Sequence, residues 1–537
     1  MAPFRVLIAD NLPPEVLERY NQLEELEIRD RSGISVDELA REIGEYDALV
    51  VRSRTRVTAD MLQKARRLQL IGRAGAGVDN IDIHEATKRG IIVMNTPGGN
   101  TIAATEHTIG MMIAALRNIP QAYQALKQHR WDRKSFTGRE LYQKTVGIIG
   151  LGKIGREVAR RLSAFECRLL GYDPLLTPEL ADRLGVRLVP LDTLLKESDI
   201  ITLHTPKIPE TINLLNKNTL RQCKPGVVIV NCARGGLVNE SDLLEALESG
   251  QVACAAFDVF EEEPPENWAL VDHPRFIGTP HLGASTQEAQ QKVAEQILEQ
   301  IAHFARTRVA KNAVNFLSVD ENLLPLIRPY FELARRLGHV FSQIKSGRLS
   351  EVNIRFYGEI LDLPVDPIAA YLMMGALQGS GEPGVEFINP VNAMTVARER
   401  GIEIEITKKD HPLTSHTNLI ACDFITGQET IHLAGTVYAR NIFRLVEYGD
   451  YIVDADLSGI MILIENEDVP GIIGQVGTIL ASENINISHL SSGRIKALKK
   501  AVNIFNVEGV VSPQIVQQLQ KVRGIHRVRV VTQEDAG

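Results

Sequence analysis

The chain has 537 residues, 44% hydrophobic and 23% charged, with 59 Lys and Arg against 67 Asp and Glu for a net charge of −8. A single core stops growing near about 250 to 300 residues, so roughly three or four domains of ordinary globular composition are expected, not a disordered chain. The acid excess speaks against nucleic acid as a partner, and neither an apolar run of about 18 residues nor a basic-then-apolar leader suggests a membrane span or signal peptide.

Short β-rich runs from Phe4 to Ala9, Asp47 to Val51 and Leu68 to Ile71 alternate with polar-periodic segments such as Pro14 to Leu26 and Val57 to Arg66, the βα alternation of a parallel sheet. Ile102 to Leu126 then reads as one long helix or two, broken or kinked at Pro120, joining two lobes. The second lobe opens with a strand over Thr145 to Ile149, a Gly-rich turn, a helix to about Phe165 and a strand from Arg168 to Tyr172. Further strands at Ile200 to His204, Val227 to Cys232 and Val252 to Phe257 make it a doubly wound sheet. A polar helix, Thr286 to Arg306, is long enough to return and close the first lobe.

Beyond Asn315 the pattern changes to a helix, Leu323 to Gln343, and then to mixed strands and helices from Glu351 to Tyr451 with a turn region at Gly379 to Gly384. The last segment gives strand, helix, strand, strand, helix, strand between Ile460 and Val531, the ferredoxin-like order. The expected domains are 1–98 with 285–315, 99–284, 316–452 and 453–537.

The turn after the strand at 145–149 is GLGKIG, Gly150 to Gly155. Gly150 permits the tight turn, Gly152 lets a pyrophosphate approach the backbone, Gly155 allows close helix packing, and Lys153 and Ile154 open a helix whose free N–H groups favour phosphate. Asp173 follows Gly155 by 18 residues at the end of the next strand, where a carboxylate binds a ribose 2′-hydroxyl and repels a 2′-phosphate. The expected cofactor is therefore NAD, and the fold a Rossmann-type doubly wound domain. GRAGAG, Gly72 to Gly77, lacks the fingerprint spacing and reads as a substrate-side or cofactor-edge loop.

Hydride transfer from a hydroxyl-bearing carbon needs a base for the proton and a fixed cation for a neighbouring carboxylate. Arg234 in NCARGG follows an apolar strand and suits a bidentate carboxylate bond. His281 in PHLGAS has the side chain that titrates near neutrality, and Glu263 in FEEEPP can hold that imidazole in one tautomer and favour its charged form. The five cysteines are scattered without CxxC spacing, so no zinc site is expected and a reducing, cytoplasmic setting fits.

VRSRTRVT, GRAGAGVDNID, NTPGGNT, GLGKIG, YDP, HTP, NCARGG, FDVFEEEPP and PHLGAST, in this order, resemble the motif set of D-3-phosphoglycerate dehydrogenases within the D-isomer-specific 2-hydroxyacid dehydrogenase family. The dense match covers the first ~315 residues, and the rest resembles the long form, with an α+β intervening domain and a terminal ACT regulatory domain after a flavodoxin-like substrate domain. The resemblance implies Arg234, Glu263 and His281 as the catalytic set, and Arg52, Ser53, Arg73, Gly77 and Asn100 around the substrate. It implies a basic pair, Arg133 and Lys134, reaching the phosphate from a neighbouring subunit of a homodimer or homotetramer. Thr205, Ala233, Asp258, Gly283 and Ala284 would line the cofactor. The chain departs from many relatives at Gly99, Ala76 and Asn239, where Asn, Thr and Asp are usual.

The implied reaction is oxidation of 3-phospho-D-glycerate to 3-phosphohydroxypyruvate, opening L-serine biosynthesis. Glycerate, hydroxypyruvate or another D-2-hydroxy acid is the alternative substrate, and an NAD-sensing corepressor-like binding protein the alternative class. Arg52, Arg73, Arg133 and Lys134 form a cationic surplus that favours the phosphorylated acid. In the terminal domain Asn466, Asp468 and Asn486 are expected to converge on an amino-acid effector, L-serine.

Overall fold

The computed structural model describes residues 2–316, 319–320, 322–378, 387–409, 416–439 and 442–533. Alternating apolar runs and amphipathic segments build two parallel sheets, because a parallel neighbour can be reached only by a crossover connection. The first contains β1 (Phe4–Ile8), β2 (Leu26–Asp30), β3 (Ala48–Val51), β4 (Leu70–Arg73) and β5 (Ile92–Met94) in the order β2-β1-β3-β4-β5. The Gln287–Thr307 helix closes one of its faces: Val293, Ala294, Ile297 and Ile301 share a buried cluster with Val6, Ile8 and Val50. The late helix thus completes the first lobe, as its length predicts.

The second sheet holds β6 (Thr145–Ile149), β7 (Arg168–Tyr172), β8 (Val186–Leu188), β9 (Ile200–Leu203), β10 (Val227–Asn231), β11 (Val252–Phe257) and β12 (Phe276–Gly278). Its order is β12-β11-β10-β9-β6-β7-β8, with the reversal of direction across the sheet falling between β6 and β9. Ligands of such sheets bind outside the carboxyl ends of the strands at that point. The segment read as one helix or two is two, Thr101–Leu116 and Ile119–Lys127. The break lies at Asn118, whose φ is 51°, while Pro120 sits in the first turn of the second helix, where its missing N–H disrupts nothing.

A third sheet, ordered β14-β13-β15-β16-β17-β18, holds β13 (Leu349–Gly358), β14 (Glu403–Lys409), β15 (Asn418–Thr426), β16 (Thr430–Ala439), β17 (Ile442–Tyr448) and β18 (Tyr451–Asp456). The Leu324–Ile344 and Val365–Leu377 helices cross closely, since a Cβ on Gly338 would lie 2.1 Å from the Leu372 carbonyl oxygen. Phe341 stacks on Phe424 at 4.1 Å between helix and sheet. This domain docks on the first lobe through Asn389 and Asn392, which donate to the carbonyls of Gly90 and Lys88, and Val391 joins that lobe's core. The turn region expected at Gly379 to Gly384 lies outside the described residues.

The last sheet, ordered β20-β21-β19-β22, is antiparallel and comprises β19 (Gly459–Glu467), β20 (Asn486–Ile495), β21 (Lys500–Glu508) and β22 (Ile525–Gln533). The Ile472–Ser482 and Pro513–Gln520 helices pack on one face. Met461, Leu463, Val502, Ile504 and Val531 on the other face join the core of the third sheet and the Leu324–Ile344 helix. The boundary expected at 452/453 falls inside β18, which pairs with β17, so the chain changes sheet between Asp456 and Gly459. Among the described residues no helix is long and apolar enough to cross a membrane.

Candidate active site

Both parallel sheets present the carboxyl ends of their strands to one cleft of about 1180 Å³. Gly150 leaves β6 with φ 91°, and a Cβ there would lie 2.6 Å from the His204 carbonyl oxygen. A Cβ on Gly155 would sit 2.0 Å from the Gly150 carbonyl oxygen, so the helix can close on the strand only with glycine at this position. Gly152 differs: a Cβ there meets nothing within 4 Å, and no side chain caps the Lys153–Ala164 helix that follows. That open space before uncapped N–H groups fits a dinucleotide pyrophosphate. Ile154 packs against the lobe's core, whereas Lys153 crosses between lobes and donates from Nζ to the Pro97 carbonyl at 3.1 Å.

Asp173 stands just past β7, accepting from the Leu151 N–H at 2.8 Å and the Leu175 N–H at 2.9 Å. Its carboxylate therefore braces the glycine turn and keeps lone pairs for a ribose hydroxyl. Thr205 follows β9 with its buried hydroxyl unpaired among the described residues, beside His204, whose buried imidazole is pushed down to about 4. Ala233 and Arg234 follow β10, Asp258 follows β11, and His281, Gly283 and Ala284 follow β12. The residues expected around the cofactor thus share one edge of one sheet.

His281 Nδ1 lies 2.7 Å from Glu263 Oε2, and the other Glu263 oxygen accepts from the Phe260 N–H. The hydrogen bond to Glu263 raises the His281 pKa above its ordinary value, against burial, with the charges of Glu263 and Asp258 adding to the rise. Arg234 reaches across to Asp79 at 3.0 Å, and a Cβ on Gly77 would collide with its guanidinium at 2.3 Å. Gly77 thus acts by leaving room for Arg234.

Arg73 ends β4 and donates to Ser53 at 3.3 Å, but its buried Nε has no acceptor among the described residues. Burial, then the charges of Arg234 and Arg52, push it down to about 10. Arg52 itself bonds the Asn11 carbonyl behind this wall. Asn100 immediately precedes the Thr101–Leu116 helix without a side-chain cap bond. Arg133 and Lys134 lie on an exposed segment outside the residues lining the cleft of their own chain.

Four lining residues were not singled out from the sequence: Arg54 and Arg56 within VRSRTRVT, Asp79 within GRAGAGVDNID, and Lys207 just after HTP. Arg54 and Arg56 alternate with Ser53 and Thr55 after β3, a period-two signal that could have marked them. His107 and Thr279 also gather on Asp258 at 3.1 and 2.6 Å. Burial works against the Asp258 charge, yet bonds from His107, Thr279 and the Leu282 N–H hold this carboxyl below its usual range.

One of the departures has a structural reason: a Cβ on Gly99 would come within 2.5 Å of Val293, leaving no room for Asn. Asn239 caps the Glu240–Ser249 helix by accepting from the Asp242 N–H, a role that Asp fills equally, so the cap leaves that departure unexplained.

The three terminal-domain residues do not converge within the chain. Asn466 pairs in register with Ala501, whereas Asn486 pairs with Glu508 at the other end of β21, seven positions away and about 23 Å at strand rise. Asn466 is buried and accepts from Asn503, which motif reading missed, while Asp468 is engaged by Arg494 at 2.8 Å. Asn486 bonds Glu508.

A Gly-rich turn open to a pyrophosphate, a carboxylate-held histidine and an arginine beside it define a nicotinamide-linked oxidoreductase of 2-hydroxy acids. Residues 109–283 match the NAD binding domain of the D-isomer specific 2-hydroxyacid dehydrogenases. Residues 326–448 match the D-3-phosphoglycerate dehydrogenase intervening domain, and 460–524 match the ACT domain. D-3-phosphoglycerate dehydrogenase from Bacillus subtilis is 40% identical over 98% of this chain and 99% of its own. The Archaeoglobus fulgidus protein of that name is 40% identical over 97% and 98%. Among solved structures, the TT0316 protein from Thermus thermophilus shares 32% identity at a TM-score of 0.54, covering 58% of this chain and all of its own. The apo-structure of D-lactate dehydrogenase from Escherichia coli shares 29% at 0.53, with 58% and 100% coverage. The chain belongs to the D-3-phosphoglycerate dehydrogenase family and uses NAD.

Proposed function

We propose that the chain oxidises 3-phospho-D-glycerate at C2 to 3-phosphohydroxypyruvate, the step that opens serine synthesis. The observation carrying this reading is Arg73, desolvated beside Arg234 and Arg52 with an Nε that has no acceptor among the described residues, in a cleft that also holds Arg54, Arg56 and Lys207. Clustered, partly buried cations are costly without an anion, and a phosphorylated hydroxy acid brings two anionic groups. Arg234 takes the carboxylate. His281, held at Nδ1 by Glu263, offers Nε2 to the C2 hydroxyl proton. NAD supplies the hydride acceptor, with Gly152, Asp173 and Thr205 holding it.

Arg133 and Lys134 complete phosphate binding from a second copy, so the working unit is a homodimer or homotetramer. Five free cysteines suit a reducing cytoplasm. Glycerate and D-lactate oxidation, and a purely NAD-sensing role, are the outcomes that would displace this reading. The test compares kcat/KM with 3-phosphoglycerate, glycerate and D-lactate. The phosphorylated acid should win, and Arg133→Ala should narrow the gap by about 1.5 to 3 kcal/mol of transition-state binding. Equal rates for the acids would reject the substrate.

L-serine is proposed to act at the Asn466, Asn503 and Asp468 end of the terminal domain. Its ammonium would displace Arg494 from Asp468. Calorimetric titration with L-serine should give binding heat that Asp468→Ala abolishes, and silence across millimolar serine ends the proposal.

A further inference from the structure

Asp258 is 1% exposed and sits beneath the turn that carries His281. Its two oxygens accept from the Thr279 hydroxyl at 2.6 Å, the Leu282 N–H at 2.7 Å and the Gly283 N–H at 2.8 Å. Its own carbonyl accepts from the His281 N–H at 2.9 Å. His281 needs this support, because it occupies the left-handed region with φ 54°, a conformation that disfavours side chains with a Cβ. The catalytic imidazole is therefore aimed by a strained residue whose flanking backbone is pinned to one buried carboxylate.

The remaining partner of that carboxylate comes from outside the loop. His107, in the Thr101–Leu116 helix joining the lobes, places Nε2 3.1 Å from Asp258 Oδ1 and 3.0 Å from Thr279 Oγ1. The ionised Asp258 can only accept, and the Thr279 hydrogen is spent on it, so His107 Nε2 must carry a hydrogen and donate. The same helix supports the turn by packing, with Ala104 3.9 Å from where a Gly283 Cβ would stand. Other groups facing this carboxylate are the backbone N–H donors of the turn, the Cys232 thiol and His281 itself.

We propose that His107 is a positioning residue for hydride transfer: its Nε2–H anchors Asp258 to the interlobe helix and so fixes the turn that aims His281. The inference rests on His281 being the base proposed above. Because a displacement of 1 Å in a reacting group costs about a hundredfold in rate, the anchor acts on turnover more than on binding.

The test uses the full-length enzyme with NAD and, separately, 3-phosphoglycerate, glycerate and D-lactate. His107→Leu should lower kcat about tenfold or more for each acid turned over, with acid KM and NAD affinity within about twofold of wild type. His107→Gln, which keeps a donor, should recover most of that kcat. In an Asp258→Ala background, which removes the acceptor oxygens, His107→Leu should cost nothing further, since the two changes act through one contact. Wild-type kcat in His107→Leu, a Gln variant no better than Leu, or fully additive losses would each overturn the inference. Should His107→Leu melt before assay, His107→Gln decides alone, and a kcat more than about tenfold down in that folded variant overturns it. His281→Ala in parallel separates the two readings: if it keeps turnover, the base assignment has failed and not the anchor.

Discussion

Gly152→Ala and Gly155→Ala separate the two uses of one turn. At Gly155 the added methyl lies 2.0 Å from the Gly150 carbonyl oxygen, so the helix must move off the strand, and overpacking of this kind costs about 1 to 3 kcal/mol. At Gly152 the methyl meets nothing within 4 Å, and φ −67° with ψ −161° is extended backbone open to alanine. Removing a glycine there should leave stability unchanged or raise it by about 0.4 to 1 kcal/mol through the unfolded chain. The same methyl occupies the space that the pyrophosphate enters. Thermal melts with and without NAD read both effects, because ligand at 100 times its Kd stabilises the fold by about 2.7 kcal/mol. A lobe of about 150 to 250 residues moves about 2 to 4 °C per kcal/mol. Wild type should gain several degrees with NAD, Gly152→Ala should melt at or up to about 4 °C above apo wild type and gain none with NAD, and Gly155→Ala should melt lower from the start. If Gly152→Ala retains the full NAD-induced shift, the open turn is not the pyrophosphate site.

Glu263→Gln should move the acidic limb of the kcat/KM profile for oxidation to lower pH. The hydrogen bond to Glu263 and its charge raise the His281 pKa, oxidation needs the unprotonated ring, and removing the charge lets that form persist at lower pH. In the reverse direction the basic limb should fall likewise, and an unmoved profile would remove Glu263 from this role. Asp173→Ala should relax the preference for NAD over NADP, since Pro174 and the 93% exposed Leu175 bring no compensating cation. The variant should also lose about 1 kcal/mol of stability with its bonds to the Leu151 and Leu175 N–H groups, and unchanged selectivity would leave it only that bracing role.

Local chemistry was legible in the sequence. The strand at 145–149, its glycine turn, the helix that follows and Asp173 lie within one βαβ unit, whose patterning and φ demands are set by neighbours in the chain. Five of the seven strands of the second sheet and the ferredoxin-like order of the last were readable for the same reason, because apolar periodicity reports which face is buried, whereas the three-residue β8 and β12 are too short to show a period. Tertiary structure alone decided what meets across distance. Arg73 and Arg234 come from different sheets, and only the folded chain shows that the Arg73 Nε has no acceptor among the described residues and that Gly77 clears space for the Arg234 guanidinium. His107 looks like any helical histidine until the interlobe helix crosses Asp258. Asn466 and Asn486 flank one helix in the sequence, yet lie at opposite ends of a sheet, because the Ile472–Ser482 helix carries the chain along the strand's length before β20 begins. β18 joins its sheet by hairpin pairing with β17, a choice of partner that its own side chains do not encode. Periodicity fixes the face a residue shows, while the partner it meets depends on strand register and crossover length summed over the whole chain.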